Sequence, residues 1–384
     1  MRILLVTMDY PPPMGGIQMV TRNLQEDLVA TGNTVRLLNF DGRNTSNFGR
    51  LRISDFFFGR ATRNRYFRIR TLLSPARMLK PTGFRDFVFH NLIYRIALRE
   101  RASFVPDIVH IMKPTLHASI VDYDGPIVVS CHGSEVEDTF PVRYSLKRAS
   151  RIHCVSEHVK RVVERIIEGR NEHIRVIPNS VDVGYFSDMR SKPREKVILT
   201  CCRLTDDKNV DSVLRAVSHL PDHLAREFRH VIIGDGPRRP HLKRLSKHLG
   251  LRNVEFVGEI RDRTHLIDWL CRAWLFVLCP RPTRGQAQIV EEGFGISYIE
   301  AQAAGLPVIG SAIGGIPESV GSGGLLVTNP TDPAEIADAI QSVLESTELY
   351  NRLRENAHSR ISQFDRKNAI RKFTELYQEA IEAT

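Results

Sequence analysis

Along almost the whole chain, short apolar runs alternate with longer stretches whose apolar residues recur at helical spacing. Runs this brief and this rich in Val, Ile and Leu read as buried strands, and their alternation with helices predicts doubly wound α/β architecture with parallel sheets. The first half offers strands at Ile3–Thr7, Thr34–Phe40, Asp107–Ile111, Pro126–Ser130, Ile152–Val155 and Ile174–Ile177. The second half offers Lys196–Cys201, His230–Ile233, Val254–Val257, Trp274–Leu278, Leu306–Ile309 and Leu325–Val327. Between them Asp182–Glu195 carries Gly, Pro and charges without a sustained apolar period, so it is the expected division. This gives a first domain over 1–187 and a second over 188–366. At the far end Ala369, Ile370, Phe373, Leu376, Tyr377 and Ile381 form one amphipathic stripe, expected to be a helix over 367–384.

Composition narrows the classes. An apolar content of 42% with 54 basic and 44 acidic residues excludes a disordered chain, a collagen-like repeat and a small disulfide scaffold. Six cysteines lie mostly within apolar runs and show no Cys-x-x-Cys spacing, as expected of buried thiols in a reducing compartment. No apolar stretch approaches the roughly 18 residues of a membrane-spanning helix, and Met1–Thr7 reads as a first strand rather than a secretory leader. The expectation is a cytoplasmic enzyme, metal-independent and without a cofactor.

Open parallel sheets bind ligands beyond the carboxyl ends of their strands, so candidate chemistry is sought there. After the first strand, Gly15 and Gly16 precede a helix with apolar positions Ile17, Val20, Leu24 and Leu28. Such a turn lets backbone N–H groups approach a phosphate, although a plain strand-to-helix turn explains it equally well. His132, with Gly133 beside it, ends the fourth strand; it can bond a polar ligand or simply be a satisfied polar residue. Arg203 and Lys208 follow the first strand of the second half, where two cations can offset a diphosphate or remain solvated near Asp206 and Asp207. The densest constellation runs from Glu292 through Phe294, Gly295, Ile296 and Ser297 to Glu300. Its glycines open a helix with free N–H groups, and its two carboxylates can accept bonds from sugar hydroxyls and from a ribose diol.

Other signals weigh less. Asp122-Tyr123-Asp124 matches a divalent-metal pattern, but Gly125-Pro126 marks it as a turn. The pairs His219/His223 and His241/His248 do not read as zinc ligands, and Gly234-Asp235-Gly236-Pro237 is a turn rather than a dinucleotide fingerprint.

Together these motifs resemble family 4 of the retaining glycosyltransferases: Pro11–Gln18, His132-Gly133, Ile177–Asp182, Arg203 with Lys208, Gly234–Pro237, Glu292 to Glu300, and Gly314–Glu318 keep the family's order over nearly the full chain. The resemblance implies the GT-B fold, two Rossmann-like domains facing across a cleft, with the last helix returning to the first domain. It implies a hexosyl transfer from a GDP- or UDP-sugar to a glycan, lipid-linked or small polar acceptor. Arg203 and Lys208 would grip the donor diphosphate, Glu300 the ribose and Glu292 the transferred sugar. Gly16 would bind phosphate, His132 the sugar, and the backbone of Phe294, Gly295, Ile296 and Ser297 would close over both. Cys202 and Ser180 depart from the family, which often has glycine at both positions. The longer loop Pro280–Gln288 is similar in manner to that of the phosphatidylinositol mannoside mannosyltransferases.

The net charge is +10, yet residues 42–104 alone contribute +11, interleaving Arg50, Arg52, Arg60, Arg63, Arg65, Arg68 and Arg70 with Phe56, Phe57, Phe58, Tyr66 and Phe67. Such a segment suits an anionic membrane surface, with a groove for a soluble anionic acceptor or a nucleic-acid grip as alternatives. Other functions left open are a nucleotide-sugar epimerase, a sugar phosphorylase and a non-enzymatic nucleic-acid binder. The favoured reading has no nucleic-acid partner.

Overall fold

The computed structural model describes residues 1–7, 9, 16–39, 104–116, 123–169, 171–187, 193–285 and 288–384. Gly15, Asp122 and the basic aromatic segment up to residue 103 lie outside them. The chain forms two compact units, one of Met1–Ile177, Gln286–Gln288 and Ile370–Thr384, the other of Pro178–Gly285 and Ile289–Ala369.

In the first unit, β1 (Arg2–Thr7), β2 (Thr34–Asn39), β3 (Ile108–Ile111), β4 (Ile127–Cys131), β5 (Arg151–Cys154) and β6 (Ile174–Val176) make one parallel sheet in the order β2-β1-β3-β4-β5-β6. All of β3 and β4 is buried, and apolar residues dominate both strands apart from His110 and Ser130. The order reverses between β1 and β3, so the loops after those two strands diverge and leave a crevice at their carboxyl ends.

The second unit repeats the scheme. It contains β7 (Val197–Cys201), β8 (Arg229–Ile233), β9 (Val254–Gly258), β10 (Leu275–Val277), β13 (Val308–Ser311) and β14 (Gly324–Val327), ordered β14-β13-β10-β7-β8-β9 and all parallel. Here the order reverses between β7 and β10. Ile198, Leu275, Val277 and Ile309 pack beneath Val213, Ile336 and Ile340 to form the main core of this unit.

Each of the twelve expected strands is present, with ends displaced by up to two residues. Two corrections concern loops. The stretch Pro280–Gln288, expected as an extended loop, contributes β11 (Thr283–Arg284), which pairs antiparallel with β12 (Ile289–Val290). The units divide after Ile177, ten residues before the expected 187/188 boundary, and Pro178–Ser187 belongs to the second unit. Its hold there is backbone pairing invisible in sequence: Val181 N–H donates to Phe364 O (2.9 Å) and Arg366 N–H to Val181 O (3.1 Å).

The last helix, Arg366–Glu382, belongs to the first unit from Ile370 onward and buries Phe373, Leu376, Tyr377 and Ala380. Ile381, assigned to the stripe, is exposed instead. A buried chain of hydrogen bonds fixes this helix: Tyr377 Oη to His110 Nδ1 (2.7 Å), His110 Nε2 to Ser130 Oγ (2.7 Å), Ser130 Oγ to His153 Nδ1 (2.7 Å), and His153 Nε2 to Ile177 O (2.8 Å). The carbonyl can only accept, so His153 Nε2 carries a proton, and in the neutral ring Nδ1 must accept from Ser130. The same reasoning makes His110 Nε2 the donor to Ser130 and Tyr377 the donor to His110. Every proton in the chain is assigned, and both imidazoles are neutral.

Candidate active site

The second unit gathers most of the expected residues at its switch point. Cys202–Asn209 leave β7, and Arg203 is exposed, with no ion pair or hydrogen bond to its side chain among the described residues. The Gly234–Pro237 turn braces this loop. A Cβ on Gly234 (φ +131°) would lie 1.9 Å from Cys202 O, and one on Gly236 would lie 2.5 Å from Leu204 O. Only glycine permits that approach, and it lets Leu204 N–H reach Asp235 O at 2.9 Å.

Lys208 ends a single turn, Asp206–Lys208, and its ammonium pairs with Glu292 and, at 3.3 Å, with Asp207. Both partners of the Lys208–Glu292 pair are largely shielded, at 16% and 23% exposure. Burial acts to lower the lysine pKa, but Glu292 and Asp207 outweigh it and hold the ammonium above its ordinary value. Asp207 is held below its ordinary value, since Lys208 overcomes the effect of burial. Behind them Asn209, buried and at φ +54°, donates to Cys279 O (2.9 Å) and Pro330 O (2.6 Å). Arg281 spans Asp206 (2.7 Å) and Asn209 (3.1 Å).

Glu292 is fixed from the other side by Gly314 and Gly315. A Cβ on Gly314 (φ +57°) would lie 2.3 Å from Glu292 O, and Gly315 N–H donates to that same carbonyl at 2.9 Å. Gly295, at φ +87°, opens the helix Ile296–Ala303, and a Cβ there would strike the Tyr298 ring at 2.6 Å. The N–H groups of Gly295, Ile296 and Ser297 have no acceptor among the described residues, so this helix start presents three donors. Phe294 turns inward, 1% exposed and 5.8 Å from the Phe364 ring, and leaves only its backbone at the site. Glu300 pairs with Arg263 at 2.5 Å.

The first unit builds a separate polar cluster at the carboxyl ends of β1, β3 and β4. Asp9 accepts from Gln18 Nε2 (3.1 Å) and pairs with Lys113. His132 N–H donates to Glu135 Oε1 at 2.5 Å, and the imidazole is buried beside the Met112 backbone, which favours its proton. Burial, followed by the Lys113 ammonium, pushes the His132 pKa down to about 4, against the opposing pull of Asp9. Burial raises the Glu135 pKa, although the His132 N–H and other backbone donors oppose it. Gly16 is the exposed first residue of the helix Gly16–Ala30.

Comparison with known proteins places the chain in a family. Two family models abut in the chain, Glycosyltransferase Family 4 over residues 14–185 and Glycosyl transferases group 1 over 185–360. The chain belongs to the family 4 glycosyltransferases. It is 27% identical over 365 residues (90% of this chain, 89% of the other) to the GDP-mannose-dependent monoacylated α-(1-6)-phosphatidylinositol monomannoside mannosyltransferase of Corynebacterium glutamicum. It is 29% identical over 370 residues (89% of each) to the GDP-mannose-dependent α-(1-6)-phosphatidylinositol monomannoside mannosyltransferase of Mycolicibacterium smegmatis. The GT-B fold is shared with sucrose-phosphate synthase from Thermosynechococcus elongatus, at 19% identity, TM-score 0.75 and full coverage of both chains.

Within this enzyme the second unit brings together Arg203, Lys208, Glu292, Phe294, Gly295, Ile296, Ser297 and Glu300, while Gly16 and His132 lie in the first. Gly15 lies outside the described residues. Of the six cysteines Cys131, Cys154, Cys271 and Cys279 are buried, whereas Cys201 and Cys202 reach the surface beside the site. Sequence reasoning missed Arg263, Asn209, Arg281 and Glu135. Asn209 alone left a usable trace, because it directly follows Lys208 and asparagine tolerates the left-handed conformation that turns the chain there.

Proposed function

We propose that the enzyme is a retaining hexosyltransferase that takes its sugar from a nucleotide diphosphate donor and gives it to a lipid-linked or small polar acceptor without a metal. The observation that carries this reading is the convergence of unpaired Arg203, the Lys208 ammonium and the three free N–H groups of the helix start at one switch point. Two cations, of which Lys208 is held by its carboxylates, and a helix tip offset a diphosphate's charge, the task a divalent ion performs elsewhere. In the reaction the bond from the anomeric carbon to the diphosphate breaks, and a bond to the acceptor oxygen forms on the same face. A donor phosphate oxygen accepts the acceptor's proton. Catalysis is then positioning and leaving-group stabilisation. Glu300 receives the ribose and Glu292 meets the transferred sugar.

The names of the two mannosyltransferase relatives make GDP-mannose the first donor to test. A thermal-shift panel with UDP, GDP and ADP and their sugars is expected to single out one base, since a ligand at 100 times its Kd adds about 2.7 kcal/mol to stability. NMR of the product is expected to show the donor's anomeric configuration, and chelator to leave the rate unchanged. An inverted product or chelator-sensitive turnover would overturn the reading. For residues 42–104, peripheral contact with anionic lipid predicts flotation with anionic but not neutral liposomes, lost at high salt. Equal flotation with both kinds of liposome would remove that part.

A further inference from the structure

Arg263 is an unusual occupant of its position. It opens the helix Arg263–Arg272, where the aligned peptide dipoles disfavour a cation, so helix stability does not account for it. The first turn of that helix is nevertheless well anchored: Asp262 Oδ1 accepts the Thr264 N–H at 3.1 Å, and the Tyr185 hydroxyl meets Thr264 Oγ1 at 2.9 Å. From this fixed base the guanidinium reaches Glu300 on a different helix, Nη1 to Oε1 at 2.5 Å, with 34% and 16% of the two side chains exposed. Glu300 is also the largest influence on Arg263, raising its pKa against the effect of burial. The pair uses one guanidinium nitrogen, and no other described residue takes the remaining N–H groups.

A carboxylate that selects a vicinal diol must be ionised and must be held at a fixed angle, because each of its oxygens accepts from one hydroxyl. A half-buried carboxylate without a counter-ion tends toward neutrality and toward several rotamers. We propose that Arg263 is a positioning residue for the donor nucleoside, holding Glu300 aimed so that the site takes ribonucleoside rather than 2′-deoxyribonucleoside diphosphate sugars. This rests on the proposed function, since it assigns the ribose to Glu300. The pair differs from a simple tether between two helices in what its loss does: a tether lost lowers stability alone, whereas an aiming group lost removes a choice between substrates.

The experiment measures kcat and KM with GDP-mannose and UDP-glucose, and with the 2′-deoxyribose form of whichever donor is turned over. Three variants are compared with the parent: Arg263→Ala, Arg263→Lys and Glu300→Ala. Arg263→Ala is expected to raise the donor KM about tenfold with kcat within twofold of the parent, and to cut the ribose-over-deoxyribose preference to near that of Glu300→Ala. Arg263→Lys keeps a cation and is expected to restore most of the preference, which separates the role from a folding defect. If Arg263→Ala keeps the parent's preference while Glu300→Ala loses it, this proposal is overturned and the donor site stands. If the parent enzyme binds no nucleoside diphosphate at all, both fall.

Discussion

Lys208→Ala is expected to lower kcat/KM for sugar transfer by about a thousandfold while the protein still folds. In the resting enzyme the ammonium is shared between Glu292 and Asp207, so its removal leaves two carboxylates without a counter-ion at the proposed diphosphate position. Each charge-assisted bond to a shielded phosphate contributes about 1.5–3 kcal/mol, and two such bonds correspond to roughly 10²–10⁴ in rate. Loss of the counter-ion beside Glu292 works in the same direction. Folding is expected to survive because Glu292 keeps 23% exposure and can hydrate, while Asn209 and Arg281 continue to hold the loop. Steady-state kinetics with an unfolding curve on the same sample test both halves. Turnover near the parent value would remove Lys208 from the diphosphate site.

The second large effect is acid lability confined chiefly to one unit. Burial lowers the pKa of His110 well below its usual value, of His132 to about 4 and of His153 to about 3, all in the first unit. In the second unit His230, also lowered by burial to about 4, bonds Thr200 Oγ1 at 2.9 Å. An unfolded imidazole titrates near 6.5, so below that pH the unfolded chain binds protons that the folded chain refuses. The stability is complete above about pH 6.5 and is lost as pH falls toward the folded values of 3–4. At pH 5 His132 and His153 each cost about 2 kcal/mol, hence roughly 4 kcal/mol in the first unit with His110 adding in the same direction, and His230 costs about 2 in the second, against a usual total of 5–15. Glu135 works the other way, because its raised pKa makes acid relieve the cost of burying it, and it offsets part of the loss.

Hydrogen exchange at stepped pH is expected to show peptides of residues 1–39, 104–177 and 370–384 losing protection at a higher pH than those of the second unit. Near-UV and exchange transitions that coincide across both units would contradict the assignment. Tyr377 and Ile177 close the two ends of the histidine chain, so the terminal helix and the β6 exit are expected to loosen together.

Local chemistry accounts for what was legible beforehand. Strands buried on both faces are rich in Val, Ile and Leu, so β4 and β7 announce themselves within five residues. A left-handed residue crowded by the side chain that follows it favours glycine, so Gly295 marked the helix start before any distance was known, whereas Gly234 and Gly236 read only as a turn. The order of those signals along the chain carried the family and, with it, the fold.

Partnerships between charges were not legible. Lys208 and Glu292 are 84 positions apart, and neither the Glu300–Arg263 pair nor the Tyr377–His110–Ser130–His153 chain leaves any periodic trace. The unit boundary was misplaced for a related reason, since Val181 is claimed by Phe364 and Arg366 through main-chain atoms that every residue possesses. The sequence therefore determined which elements form and which positions need glycine, because those depend on a residue's own shape and burial. Only the tertiary structure decided which cation faces which carboxylate, because a long charged side chain can find its partner anywhere the folded backbone brings one within reach.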